Sequence, residues 1–322
     1  MTSATVIIDT DPGLGKPGSV IDDGLAIAFA LACPDLHVLG LTIVNGNVDA
    51  HVGYESATAL LDQLGRNEIP VKLGANKPLR QNMKTVWHTF GMDEPEPSEP
   101  SGVGAEAGLK ADAVEWMLEQ VARRPGEITI LAIGPMTNIA EAVQADSTFA
   151  GNVREILFMA GNATGRVENI DVVADFNVLV DPEAMDIVLR SGVPLRMIGI
   201  DQTSRVMLTP QDATEMRNSG RGDSATAWLA DYVDGWINHE RSSDDTENAW
   251  CLLHDPLVVG ALVRPELFEF AAFEAHVDLE RGEIVTAKKL HEGSESTGSV
   301  VAAVDTNVDK FHTYFLERLA AL

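Results

Sequence analysis

Short, almost uninterrupted apolar runs alternate with longer stretches of helical periodicity, and this alternation restricts the fold of the chain more than any other feature. "ATVIID" (4–9), "HVLGLTIV" (37–44), "PVKLG" (70–74), "ITILAI" (128–133), "REILFMA" (154–160) and "PLRMIGI" (194–200) read as strands. Residues 22–32, 50–65, 110–124, 136–144 and 181–191, which lie between them, read as helices. A strand apolar at nearly every position has no face to offer to water, so it is buried on both. The pattern predicts an α/β fold, with an open, mostly parallel central sheet and helices on both faces. Residues 210–262 read as helical. "FEFAAFEAHVDLERGEIVTA" reads as a small C-terminal β-hairpin that turns near Arg281–Gly282, and a last strand, "SVVAAVD", leads into a last helix. Residues 75–108 break the rhythm with a Pro-, Glu-, Ser- and Gly-rich stretch that reads as a mobile lid or simple disorder. No repeat or linker divides the 322 residues, which predicts a single domain over 1–322.

The net charge of −26 sets the surface against nucleic acid and anionic membranes, so neither is expected as a partner. No apolar run approaches the length of a membrane span. The opening "MTSATVIIDTD" has neither a basic stretch nor a cleavage site, so it does not read as a signal peptide. Two isolated cysteines, Cys33 and Cys251, fit a reducing compartment, and the expected location is cytoplasmic.

In open α/β sheets, ligands sit beyond the carboxyl ends of the strands. That rule selects the loops Asp9–Asp23, Asn45–Asp49, Gly134–Asn138 and Gly161–Asn177. The first, "DTDPGLGKPGSVIDDG", spells G-x-G-x-x-G with Gly13, Gly15 and Gly18, the form of a phosphate-binding turn. Its aspartates oppose that reading. A helix N-terminus suits an anion, but Asp22 and Asp23 already occupy it, and Pro12 and Pro17 remove amide donors. One of the pair could serve only as an N-cap. Capping leaves Asp9 and Asp11 unexplained, and converging carboxylates raise one another's pKa unless a cation intervenes. Oxygen ligands without a Cys/His cluster suit Ca²⁺ or Mg²⁺.

Five blocks in order carry a resemblance: "IIDTDPG…DDGLAIAFAL", "LTIVNGN" (41–47), "LAIGPMTNIA" (131–140), "FMAGNATGRVENIDVVADFNVLVDPEA" (158–184) and "LHDPLVVGALVRPELF" (253–268). Together they resemble the nucleoside hydrolases, the inosine–uridine-preferring group included, over almost the whole chain. The resemblance implies Ca²⁺-dependent hydrolysis of the N-glycosidic bond of a ribonucleoside. It implies Asp11, Asp23, Asp255 and the carbonyl of Ile133 as metal ligands, with Asp11 also the general base toward the water that the metal holds. It further implies Asp22, Asn47, Met159, Asn169, Asp175 and Asn177 as substrate contacts, and His254 as the acid near the leaving base. An imidazole there is expected to titrate near neutrality. A homodimer or homotetramer is implied in the same way. The chain departs from the family pattern in seven extra residues between Asp11 and Asp22, and in "ADFN", where Asp175 replaces the usual Glu.

Bland readings stand beside these. Asn177 could merely cap a helix, although Asp181 with Pro182 is the better cap. His254 could be a core histidine, and Met159 could be core as well as pocket wall. Two rival functions are a Mg²⁺-dependent phosphatase of the haloacid dehalogenase type, which also opens on D-x-D, and a non-catalytic Ca²⁺-stabilised nucleoside-binding protein.

Overall fold

The computed structural model describes residues 3–14, 20–90, 110–170, 175–219, 224–244, 250–287 and 298–322. Strands β1 (Ala4–Thr10), β2 (Leu36–Ile43), β3 (Val71–Leu73), β4 (Ile128–Ala132), β5 (Glu155–Met159) and β6 (Leu195–Ile198) coincide with the six expected runs to within two residues. The strands β7 (Met207–Leu208), β8 (Cys251–Leu252), β9 (Phe268–Asp278), β10 (Glu283–Ala287) and β11 (Gly298–Thr306) follow. Nine of them form one sheet in the order β10-β9-β11-β6-β5-β4-β1-β2-β3. From β11 to β3 every pairing is parallel, whereas β9 pairs antiparallel with both β10 and β11.

Alternation within the strands shows why both faces are covered. Val6 and Ile8 point into one apolar cluster and Ile7 into the other. Leu157 and Met159 divide from Ile156 and Phe158 in the same way. Period-two projection from an all-apolar strand gives two cores, one under each helical layer. On the first face, helix Asp22–Ala32 is held by the last helix, Val308–Leu319. Phe29 meets Phe311 and Phe315 edge-on at centroid distances of 6.1 and 5.1 Å, a geometry that aromatic quadrupoles favour. This packing fixes the helix whose first turn carries Asp22 and Asp23.

The C-terminal hairpin turns where expected, with Gly282 at φ 64°. Strand β11 joins it to β6, so the hairpin extends the main sheet. Residues 210–262 are not helical throughout, because Cys251–Leu252 pairs with Met207–Leu208. A two-residue bridge is too short to leave a periodicity in sequence. Within 75–108, Met83–Thr89 is helical, and 91–108 lies outside the described residues. No helix among the described residues is long and apolar enough to cross a membrane.

The last helix also docks on Pro210–Ser219, with His312 Nε2 lying 3.2 Å from Asp212 Oδ1. That bond raises the His312 pKa above its ordinary value of 6.5. The raised value contributes stability that is complete below pH 6.5 and is lost as pH rises through the folded-state value. Thermal melts should therefore show His312→Gln less stable than the parent by roughly 1 kcal/mol at pH 6, with the gap shrinking by pH 9. A gap independent of pH would show that the contact is mere packing.

Candidate metal and active site

Strand order reverses between β1 and its two neighbours, β4 and β2, and the carboxyl ends there form the crevice that ligands use in open sheets. Asp11 lies just past β1, Asn45–Asn47 past β2 and Ile133–Asn138 past β4. Helix Asp22–Ala32 begins at an N-cap formed by Ile21, so neither Asp22 nor Asp23 is spent as the cap. Asp255 occupies the N-cap position of helix Pro256–Val263, but its side chain caps nothing. All four carboxylates are buried.

Hydrogen bonds tie these groups together. Asp23 Oδ1 accepts from Thr10 Oγ1 at 2.5 Å and from Asp11 N at 3.1 Å. Asn47 bridges, donating from its backbone to Asp11 Oδ2 at 2.6 Å and from Nδ2 to Asp23 Oδ2 at 2.9 Å. Asp22 Oδ2 accepts from Asp255 N at 3.3 Å. One oxygen from each of Asp22, Asp23 and Asp255 lies within 4.8 Å of the other two. The tight trio therefore includes Asp22, expected as a sugar contact. Asp11 joins the group through its field and its hydrogen bonds. Beneath them, Asp9 accepts from Thr42 Oγ1 and Asn138 Nδ2, at 2.5 and 2.9 Å.

The electrostatics favour a cation. Burial and then the neighbouring carboxylates push Asp11 and Asp255 well above the usual carboxylate range. Burial raises Asp22 to about 6, and burial followed by the Asp22 charge raises Asp23 to about 7. Asp11 Oδ1 is buried with no hydrogen-bond partner among the described residues. No Lys or Arg among the described residues forms a salt bridge with any of the four. A buried oxygen-rich group of this kind fits a hard divalent cation.

The expected contacts fall into three places. Asn177 Nδ2 donates to the carbonyls of Ile133 and Met159, at 3.0 and 3.1 Å, which gathers three of the expected residues at the ends of β4 and β5. Its side chain does not cap a helix. That role falls to Asp181, which accepts from Ala184 N with Pro182 opening the helix. Asp175 is buried, with Oδ2 accepting from Gly161 N (2.7 Å) and Oδ1 from Val178 N (3.0 Å), so here it joins the backbone after β5 to the turn that carries Asn177. Asn169 donates to the carbonyl of Ser204 at 2.8 Å and forms no hydrogen bond with the other expected residues. His254 is half-buried, and its Nδ1 lies 2.8 Å from Thr203 Oγ1. Burial lowers the imidazole to about 4, not the near-neutral value expected from sequence, because the charged ring loses its hydration. Residues 15–19, with Gly15 and Gly18, lie outside the described residues.

Two glycines were missed. A Cβ on Gly46 would overlap Asp11 Oδ2, and one on Gly134 would fall 2.8 Å from Asp11 Oδ1. The backbone thus closes on the Asp11 carboxylate from both sides. Gly46→Ala should displace that carboxylate and lower kcat/KM by about tenfold or more, because displacements near 1 Å suffice for such losses. Unchanged kinetics would mean that the loop yields without moving Asp11. The segment after β6, "IGIDQT", was also missed, although the strand-end rule covers it.

The family described as inosine-uridine preferring nucleoside hydrolase matches residues 6–313. A "Probable uridine nucleosidase 2" from Oryza sativa subsp. japonica is 36% identical over 84% of this chain and 77% of its own length. A "Pyrimidine-specific ribonucleoside hydrolase RihA" from Citrobacter koseri is 32% identical, covering 98% of this chain and 97% of its own. Among solved structures, "Plant nucleoside hydrolase - PpNRh1 enzyme" superimposes with a TM-score of 0.81 at 29% identity over 99% of both chains. A purine-preferring ribonucleoside hydrolase from Gardnerella vaginalis gives 0.78 at 28% identity over 98% of both.

Proposed function

The chain belongs to the inosine-uridine preferring nucleoside hydrolase family, and from that premise we propose that it hydrolyses the N-glycosidic bond of ribonucleosides with Ca²⁺ bound at the acidic cluster. The observation that carries the reading is the buried group Asp11, Asp22, Asp23 and Asp255 at the strand ends, with no Lys or Arg among the described residues in a salt bridge to any of them. Asp11, Asp23, Asp255 and the carbonyl of Ile133 would hold the ion, joined by Asp22, whose carboxylate lies within 4.8 Å of those of Asp23 and Asp255. Bound there, Ca²⁺ supplies a positive charge that orients the ribose hydroxyls and acidifies a water.

The chain's own groups do the rest. Asp11 receives the proton of the attacking water through Oδ1, the oxygen that has no hydrogen-bond partner among the described residues. Asn47, Asn177 and Asn169 bind the sugar, Met159 walls the pocket, and Asp175 steadies the turn beneath its 5′ side. Water attack on the face opposite the base inverts C1′ through an oxocarbenium-like transition state. His254, neutral at pH 7, offers an N–H to the departing base rather than a full positive charge. Family membership leaves no ground for the phosphatase reading.

The test is a nucleoside panel beginning with uridine and inosine, in which free base and ribose are measured with and without a Ca²⁺ chelator. Release of both products, lost on chelation and restored by Ca²⁺, is expected. Tight nucleoside binding without base release would instead mark a non-catalytic binding protein. His254→Ala should lose about 10²-fold on a nucleoside with a poor leaving base, and far less on a nitrophenyl riboside, whose leaving group needs no proton. Equal losses on both would remove His254 from the acid role.

A further inference from the structure

The short helix Ile200–Thr203, just past β6, contributes no residue to the site as read from sequence, yet it grips that site at two points. Asp201 is fully buried. Its carboxylate accepts from Thr164 Oγ1 (2.6 Å), Thr164 N (3.0 Å), Ala163 N (3.3 Å) and Gln202 Nε2 (3.1 Å). Ser204 continues the grip. Its hydroxyl accepts from Glu168 N at 3.2 Å and its carbonyl from Asn169 Nδ2 at 2.8 Å. Asn169 has φ 66°, the one positive value among the described non-glycine residues. Such a backbone persists where its surroundings over-determine it, and these bonds supply that constraint.

Thr203 forms the second grip. It is fully buried, and its hydroxyl has one hydrogen-bonding neighbour among the described residues, His254 Nδ1. If Nδ1 carried the ring proton, the hydroxyl proton would be left without an acceptor in a dry place, which is costly. The hydroxyl therefore donates to Nδ1, and the proton of the neutral ring lies on Nε2.

We propose that the turn 201–204 is the positioning element of the active site: Thr203 fixes the tautomer and orientation of His254, while Asp201 fixes the loop that presents Asn169. This rests on the reading of His254 and Asn169 as substrate-facing residues. The two arms separate kinetically. Thr203 acts on departure of the base, and Asp201 acts on capture of the sugar.

Four measurements decide it. Thr203→Val should lower kcat on uridine about tenfold, with the nitrophenyl riboside within threefold of the parent, and Thr203→Ser should restore the loss. Asp201→Asn should raise KM about tenfold with kcat little changed. Thr164→Val removes one donor, leaves the carboxylate in place, and should raise KM in the same direction. Nitrogen-15 NMR, with the His254 signal identified by its loss in His254→Ala, should show Nε2–H in the parent. Equal losses in kcat and KM on both substrates, or none, would reduce the turn to scaffold and overturn the proposal, as would Nδ1–H in the parent. If the parent releases no base from any nucleoside, the functional reading fails, and the NMR measurement still decides the Thr203 arm.

Discussion

Asp11→Asn is expected to lower turnover at saturating nucleoside by about 10³-fold or more, since it removes a general base and a charged ligand together. Its fold should survive. The amide oxygen can still accept from Asn47 N, which donates to Asp11 Oδ2 in the parent, and Asp11 N still donates to Asp23. Without cation the variant should melt at the same temperature as the parent or higher. It has one fewer buried charge among carboxylates that already raise one another's pKa, and active-site groups of this kind commonly cost stability. Two measurements check this, product release under saturating substrate and a melt in chelator. Near-parental turnover would remove Asp11 from the mechanism, and a collapse of the melting temperature would make it a structural residue.

Chelation of the bound cation should abolish hydrolysis and lower the melting temperature, by an amount that grows with pH. In the cation-free protein, Asp22 and Asp23 titrate at about 6 and 7, against an unfolded value of 3.8, and Asp11 and Asp255 are raised as well. A raised carboxylate leaves stability intact below the unfolded value and removes it as pH climbs through the folded value. The cation-free protein therefore weakens as pH rises from about 4 to about 7, whereas a divalent ion neutralises the same charges without protons. Ion present at a thousand times its dissociation constant adds about 4 kcal/mol, which for a chain of this length is roughly 5 °C in melting temperature. Melts with and without Ca²⁺ at pH 4, 5, 6 and 7 should diverge steadily. Parallel curves would mean that the ion binds elsewhere.

How much could be read in advance follows from what each feature depends on. The strands of the parallel sheet were legible because an all-apolar run has one stable use. The helix carrying Asp22 and Asp23 was legible because apolar periodicity starts at those residues, and its observed span, Asp22–Ala32, is the expected one. The bridge of Met207–Leu208 with Cys251–Leu252 was not, because pairing across more than forty residues leaves no local trace in two of them. The aspartates of the opening loop were visible as a cluster, since local charge density alone marks them, whereas Asp255, far along the chain in "LHDPLVV", was marked only by the family resemblance. The glycines that close on Asp11 were not, because Gly46 and Gly134 lie in loops after β2 and β4 that meet only when the sheet forms.

By itself, then, the sequence determined the parallel α/β sheet, the strand ends where ligands gather, the acidic loop and, through five ordered blocks, the family. These follow from local periodicity and residue chemistry, which need no partner. Tertiary structure alone decided that Asp22 joins Asp23 and Asp255 in the tight trio, and that Asp175 binds two backbone amides. It also decided that burial pushes the His254 imidazole down to about 4 and that its Nδ1 lies against the Thr203 hydroxyl. Each of these depends on burial and on contacts between residues far apart in the chain, and only the closed fold supplies the low dielectric and the neighbours that set them.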